Sequence, residues 1–495
     1  MTTPCAPTRR RSAVATLIVS TVFGIACSWW AGSGPPILRA RWRLLAILGV
    51  WAGAWLVGVG AALRTPTKLA VGIVLVGAVG VRLVALAGPP TTSDDVYRYA
   101  WDGRVQAAGA DPYAEPPLSP TLSGLRDRWL WPGTRGCAAL DRPPGCTRLN
   151  RPAERSIYPP VAEGWFRIVD GVAGDGARHK AWQVAGLAGD VVTVGLLLLA
   201  LDRWGRDRRW IALYALCPAP AFEFVHNAHV DGLAVAFLVC ALLVTIPPPG
   251  RRRGAGAHAW RDVFFGLLVG AAALVKVYPV AVLLVAIALP RPRPWHALAR
   301  ASAAATLLAA VAYLPHVLTV GVRVLGYLPG YLREEHYDGG GRFLLAGILG
   351  LSGEAAGVAS VLALAVAAGW VVWRRPDAPR AAAALLAALF LATTPVQPWY
   401  AVSVVALASL AAWPRPTAVA AAGYPYYFAV ILDFRHTVGL GRMSYLVAAA
   451  IVLGPAVPFG VAHRAVDFGR AAEGRLSGSS PGSTGKPISS AVTRE

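Results

Sequence analysis

Long apolar runs separated by short, Arg-bearing connections set the pattern of the chain. Runs cover 13–31, 44–62, 69–87, 183–201, 210–225, 230–246, 299–320, 343–373, 381–394, 401–413, 418–432 and 443–462. Crossing a bilayer as a helix takes about 20 such residues. A further run, 263–290, is too long for one crossing and is interrupted by Lys276-Val277-Tyr278-Pro279. It reads as two short helices meeting at that break and returning to the side they left. The pattern predicts an all-α polytopic membrane protein, a bundle of roughly 12–14 transmembrane segments, with several late segments short enough to be re-entrant.

Composition agrees. Of 495 residues, 56% are hydrophobic and 15% charged, whereas soluble domains carry about a quarter charged residues. The net charge of +21 would suggest nucleic acid in a soluble protein. Here the basic residues sit between apolar runs, so the partner they imply is the lipid bilayer and not nucleic acid. Arg9, Arg10 and Arg11, Arg64 with Lys68, the basic stretches 203–209 and 251–253 with Arg261, Arg291 with Arg293, Arg374 with Arg375 and Arg380, and Arg415 all fall on one side. That side is expected to be cytoplasmic. Arg39, Arg41 and Arg43 fall outside in this scheme. The first run resembles a signal peptide but lacks a small-x-small cleavage site and ends in Trp29-Trp30, so it reads as a retained span. The expected organisation is a cytoplasmic tail over 1–12, a transmembrane domain over 13–462, and a disordered cytoplasmic tail over 463–495. Two connections, 88–181 and 323–342, are long, polar and expected to lie outside, where a site would be built. The localisation implied is a plasma membrane, multi-pass, with the site facing the extracytoplasmic side. No internal repeat and no Gly-rich nucleotide-binding fingerprint is visible.

The stretch from Ser93 to Gln106 is the richest in chemistry. Ser93 suits an N-cap, Asp94 and Asp95 the first turn, and Gly109 the end of a helix. Helical spacing puts Asp95, Tyr99, Asp102 and Gln106 on one face, and Tyr97 with Trp101 on an adjacent aromatic stripe, which predicts a helix lying flat at the membrane surface. Two readings stay open for Asp94 and Asp95: complements to the helix dipole, or a general base at a membrane-facing cleft. His226, His229 and Asp231 lie at an outer membrane edge, with Glu223 one turn earlier. They read as braces of a helix break, as contacts to phosphate or sugar, or as a metal site. Lys276 is either a snorkelling anchor or a point charge for a lipid phosphate. Arg342 is a further candidate for that charge. Tyr158, Trp399 and Tyr400 read as interfacial anchors or sugar platforms. Cys137 and Cys146 flank a Pro-Pro-Gly turn in the outer loop, an oxidising position, and are expected to form a disulfide.

The run from Ser93 through Gly109-Ala110-Asp111-Pro112-Tyr113 resembles the first outer loop of polyprenol-phosphate-dependent glycosyltransferases of the GT-C superfamily. The likeness is to glycosyltransferase family 87 and the related actinobacterial mannosyltransferases. Leu149-Asn150-Arg151-Pro152, Ile157-Tyr158-Pro159-Pro160-Val161-Ala162, the segment His226 to Gly232, Lys276-Val277-Tyr278-Pro279 and Gln397-Pro398-Trp399-Tyr400 are similar to its later motifs, in order. The resemblance implies a GT-C-like bundle with Asp95 as catalytic base and Asp94 as second choice. It implies donor phosphate or sugar contacts at Lys276, His226, His229, Asp231, Arg342 and Arg98, and acceptor or sugar contacts at Tyr99, Trp101, Asp102 and Tyr158. The implied reaction moves a hexose, mannose first, from a polyprenyl phosphate to a glycan or lipoglycan acceptor. No obligatory cofactor is implied, and a divalent metal is left open. Physical logic points the same way. Sugar nucleotides are cytoplasmic, so an outer site needs a donor delivered through the membrane. Fixed cations can stabilise the departing phosphate, and attack opposite it inverts the anomeric centre through an oxocarbenium-like transition state. The rival readings are a transporter or lipid-linked-sugar flippase, which should show paired halves, and a non-catalytic membrane partner.

Overall fold

The computed structural model describes residues 6–174, 176, 178–246, 255–337, 342–432 and 435–455, and among them every regular element is a helix. In chain order they begin with α1 (Ala6–Gly32), α2 (Ile37–Ala62) and α3 (Thr67–Ala85), which pack together. The connection 88–181, the expected outer loop, contributes α4 (Asp95–Ala107), α5 (Thr134–Ala139) and α6 (Pro160–Ala173). Then follow α7 (His179–Arg203), α8 (Ala212–Ala215), a π-helical turn Pro220–His226, α9 (Asp231–Thr245), α10 (Ala255–Ala273), α11 (Val285–Ala288) and α12 (Pro294–Val320). The last part is α13 (Leu328–Glu334), α14 (Gly353–Arg374), α15 (Ala378–Ala392), α16 (Pro398–Leu410), α17 (Thr417–Ile431) and α18 (Thr437–Leu453). Among the described residues, six helices are long and apolar enough to cross a membrane, and six shorter apolar helices of 10–17 residues accompany them. The protein is therefore an all-α, multi-span membrane protein. The expected tail over 463–495 lies outside the described residues.

Prolines open several elements. Pro160, Pro379 and Pro398 occupy the first turns of α6, α15 and α16, where a missing N–H costs nothing and φ is already helical. In α15, Asp377 also caps by accepting the Arg380 amide at 3.1 Å.

Within the bundle Arg82 on α3 and Asp190 on α7 form a fully buried ion pair. Tyr214 donates to the same carboxylate at 2.5 Å, and Arg82 donates to the Ala215 carbonyl at 2.7 Å. Removing one partner of such a pair typically costs 3–5 kcal/mol, because the other charge is left buried alone. The pair thus fixes α3 and α7 around the segment that carries the π turn.

The 263–290 run behaves as its break requires. Gly266 and Gly270 of α10 lie against Ala301 and Ala305 of α12, so the two helices run parallel. A Cβ on Gly266 would lie 2.1 Å from the Ala301 carbonyl oxygen, so only glycine permits this approach. The chain then returns through a 3-10 segment, Tyr278–Leu284, and α11, until Arg291 donates to Asp262 at 3.0 Å. At the far end of the excursion the Leu274 carbonyl accepts the amides of Val161 and Ala162 on α6, each at 3.2 Å.

Four expectations are corrected. The run 210–225 is not one lipid-facing span: it breaks at Cys217-Pro218 and continues as the π turn, and residues 211–231 are buried throughout. Proline cannot donate and clashes with the preceding turn, which forces the break. The run 343–373 is a 3-10 turn, Ala346–Leu349, followed by α14, separated at the left-handed Gly350. Arg39, Arg41 and Arg43 lie not in a loop but in the first turns of α2, which kinks at Ala40. Arg39 there pairs with Asp141 of the outer loop, binding the first hairpin to it. Finally, the Tyr97 and Trp101 stripe of α4 is not free to face lipid: both side chains are buried within the outer loop.

Candidate active site

The sequence of α4 explains its burial. Tyr99 stacks on Phe166 of α6 at 4.4 Å between ring centroids and meets Tyr158 edge-on at 5.2 Å. Trp101 packs edge-on against Trp131 at 4.6 Å. The charged residues along the buried face of α4 pair within the loop. Arg98 pairs with Asp102 at 2.9 Å and donates to the Glu154 carbonyl at 2.9 Å. Glu163 receives Ser156 Oγ at 2.5 Å and Gln106 Nε2 at 2.8 Å. Burial, and then the neighbouring Asp102 carboxylate, push the Glu163 carboxyl well above the usual range. Burial raises Asp102 too, opposed by the Arg98 charge. Arg98, Trp101 and Asp102 are thus packed within the loop, away from open space.

The end of α4 is different. Asp95 donates its amide to Ser93 Oγ at 3.2 Å, which starts the helix, and its carboxylate accepts Asn150 Nδ2 at 2.7 Å. Asp94 turns the other way and pairs with Arg142 at 2.8 Å. Asp95 faces inward, toward the segment after the π turn. That segment is tied to the outer loop by Asn227 Oδ1, which accepts the amides of Thr91 and Thr92 at 3.1 and 3.2 Å. Gln183 Nε2 adds bonds to the carbonyls of Gly88 and His226, at 3.0 and 2.6 Å. Gly186 of α7 lets this segment approach, since a Cβ there would sit 2.1 Å from the Phe224 carbonyl oxygen.

The two histidines part company. His226 Nδ1 meets the Ala85 carbonyl at 2.9 Å and Nε2 meets Thr91 Oγ1 at 3.0 Å. Both ring nitrogens are committed to holding the end of α3, and neither is left for a phosphate. His229 lies on the opposite side of the left-handed Ala228 (φ 58°). Its ring stacks on Trp399 at 4.0 Å and 13°, with Nδ1 3.7 Å from Asp95 and Nε2 3.6 Å from Glu223. Glu223 accepts Tyr424 Oη at 2.7 Å. Among the described residues no group of three or more His, Cys, Asp or Glu is placed to hold a metal ion.

Lys276 sits at the tip of the excursion, its ammonium 4.6 Å from the ring centroid of Tyr158 and 5.1 Å from that of Tyr400. Among the described residues no carboxylate lies within ion-pair distance of it. Asp231, fully buried at the first turn of α9, is within electrostatic range of Lys276 and Asp95, and neither of its carboxylate oxygens meets a hydrogen-bond partner. Arg342 is buried beside Glu335, with its guanidinium 4.6 Å from the Tyr337 ring centroid. Tyr331 of α13 lies within range of both Lys276 and Arg342. The structure therefore brings together Asp95, His229, Asp231, Lys276, Tyr158 and Tyr400, and sets Asp94, His226, Arg98, Trp101 and Asp102 apart from them.

Three contributors were not read from the sequence in these roles. In the sequence Asn150 stands only as part of a motif, Trp399 reads as an interfacial anchor or sugar platform, and Glu223 has no assigned role. Glu223 carried a signal, an acid inside an apolar run. Arg151, beside Asn150, takes a left-handed conformation (φ 45°) and pairs with Glu334 of α13, with Nε to Oε2 at 2.8 Å. The second outer connection is thereby bound to the rim of the site. The disulfide between Cys137 and Cys146, with Cα atoms 5.8 Å apart, closes the loop next to Arg142.

Residues 157–395 match the family model of glycosyltransferase family 87, a family of the GT-C superfamily. This similarity supports a glycosyltransferase activity in a membrane-helix-rich fold. The matched segment holds Tyr158, His229, Asp231, Lys276 and Arg342 but begins after Asp95 and Asn150. No curated protein and no solved structure shows a comparable match.

Proposed function

We propose that the protein transfers a hexose, mannose being the first choice, from a polyprenyl phosphate to a glycan or lipoglycan acceptor on the extracytoplasmic face of the plasma membrane, with inversion. The observation that carries this reading is that a partly accessible carboxylate, Asp95, and an ammonium without a carboxylate partner among the described residues, Lys276, gather around the same side chains, Tyr158, Tyr400, His229 and Asp231.

In the proposed reaction the Asp95 carboxylate takes the proton of the acceptor hydroxyl as its oxygen attacks the anomeric carbon. The bond from that carbon to the phosphate oxygen breaks on the opposite face, and the polyprenyl phosphate leaves with the electron pair. Lys276, with Arg342 behind Tyr331, stabilises the departing charge in a site of low dielectric, where a fixed cation is worth more than in water. Asn150 orients the base. Asp231, an acceptor without a partner, suits sugar hydroxyls, which can donate to it, and would repel a phosphate.

The test is transfer of radiolabelled sugar from polyprenyl phosphate mannose, and from other polyprenyl phosphate hexoses, in membranes containing the protein. Transfer that depends on Asp95 supports the reading. Absence of transfer from every donor, with movement of intact lipid-linked sugar across the bilayer instead, would replace it with a flippase.

A further inference from the structure

Building on the proposed transfer reaction, we infer that Glu223 is a positioning residue that acts through His229 to hold a hydrogen-bond donor against the base, Asp95. The backbone makes this possible. The π turn carries wide bonds, Asn227 N to the Phe222 carbonyl at 2.9 Å and His229 N to the Glu223 carbonyl at 2.9 Å. Residues six apart are thereby brought side by side. Turns of this kind recur at functional sites because they displace side chains from regular helical positions. Trp399 fixes the plane of the His229 ring by stacking, so its two nitrogens can point only along one line, to Asp95 on one side and Glu223 on the other.

A buried imidazole with neither nitrogen in a hydrogen bond is costly. The 3.6 and 3.7 Å separations lie just beyond hydrogen-bond length, and a small closure of the site would complete both bonds. With Asp95 ionised as the base and the imidazole neutral, one direction of donation satisfies the chain, in which Asn227 Nδ2 also donates to Glu223 Oε2 at 3.5 Å. Tyr424 O–H donates to Glu223 Oε1, protonated Glu223 Oε2–H donates to His229 Nε2, and His229 Nδ1–H donates to Asp95 Oδ2. Asn150 donates to the other oxygen of Asp95. An ionised Glu223 would instead draw the imidazole proton to Nε2 and turn the Nδ1 lone pair on the Asp95 carboxylate. Glu223 therefore selects the tautomer that supports the base, as the buried acid of a catalytic triad does for its histidine. The charged and titratable groups facing this line are Asp95, Asp231, Lys276, Tyr99, Tyr424 and Tyr427. Asp231 acts on Glu223, and Asp95 and Lys276 act on His229.

The experiment measures kcat and donor KM against pH for the purified full-length protein and for Glu223→Gln, Glu223→Ala and Asp95→Asn. A Gln at 223 can donate to Nε2 and accept from Tyr424, so it mimics the protonated acid and never ionises. Expected is a wild-type rate that falls at alkaline pH, a Glu223→Gln rate within about threefold of it at low pH but without that fall, and a Glu223→Ala kcat lower by about tenfold or more with donor KM little changed. Glu223→Ala with wild-type kcat and pH profile beside an inactive Asp95→Asn would overturn this inference alone. A rise confined to donor KM would do the same, since it would make His229 a phosphate contact. An active Asp95→Asn enzyme would overturn the reading of Asp95 and this inference with it. Should Glu223→Ala fail to fold, Glu223→Gln decides: a pH profile superimposable on wild type refutes the proposal.

Discussion

Replacing Lys276 with Met keeps the apolar stem and removes the charge. The ammonium lies over two tyrosine rings, at 4.6 and 5.1 Å, and each such contact is worth roughly 0.5–1 kcal/mol. The stability loss should therefore be modest, about 1–2 kcal/mol. The effect on the donor should be larger. A phosphate oxygen about 4 Å from the ammonium, at the effective dielectric of a partly buried site, interacts by about 4 kcal/mol. Truncating one partner of a buried charge contact costs roughly 2–5 kcal/mol. At 1.4 kcal/mol per decade that is a loss of roughly 30-fold to 4,000-fold in donor affinity. The assay is direct binding of polyprenyl phosphate together with the donor-concentration dependence of transfer. Lys276→Arg should recover part of the loss, because the charge is kept on a differently shaped head. Donor affinity within about threefold of wild type in Lys276→Met would refute the reasoning, make Lys276 a snorkelling anchor, and pass the role to Arg342.

Other outcomes follow from the same geometry. Asp95→Asn should lower turnover at least about a hundredfold with donor binding intact, and an equal loss in Asp94→Asn but not Asp95→Asn would reverse the assignment. Glu163 binds its proton more tightly in the folded protein than in the unfolded chain, because burial and Asp102 raise its carboxyl. Its contribution to stability is complete below the ordinary carboxyl range and lost as pH rises through the raised value. Thermal unfolding in detergent should show that decline, and Glu163→Gln should flatten it. A compartment-specific reporter fused after Leu125 should be active only outside the cell, and cytoplasmic activity there would defeat the proposed mechanism.

The membrane character of the chain was legible because each apolar run is a local property of the sequence. The break at Lys276 was legible for the same reason, since a Lys and a Pro inside an apolar run announce themselves. What could not be read was which side a helix turns to its neighbours. In α4 the spacing of Tyr97 and Trp101 suggested a surface helix, yet the partners that bury it, Trp129, Phe166 and Trp131, lie 30 to 67 residues on. His226 and His229 look equivalent in sequence. The left-handed Ala228 between them sends one to brace α3 and the other to Asp95. Non-glycine residues adopt that conformation only when their surroundings impose it, so no local pattern foretells it. Asn150 needed the tertiary structure altogether, because its importance is its contact with a residue 55 positions earlier.

The excursion that carries Lys276 is held at both ends: Asp262 is bound to Arg291 and Arg300 at its root, and Leu274 to the start of α6 at its tip. Twelve residues of helix separate those anchors, about 18 Å at the helical rise, against a hydrocarbon core of about 30 Å. Helices α15 to α18, of 15, 13, 15 and 17 residues, span roughly 20–26 Å by the same rise. A helix shorter than the hydrocarbon core is accommodated by local thinning of the bilayer, by snorkelling of flanking side chains or by packing against other helices. Most of α16 is buried inside the protein, whereas α18 turns much of its surface outward. For the proposed reaction, thinning at such a flank brings a lipid-borne phosphate nearer the depth of the ammonium.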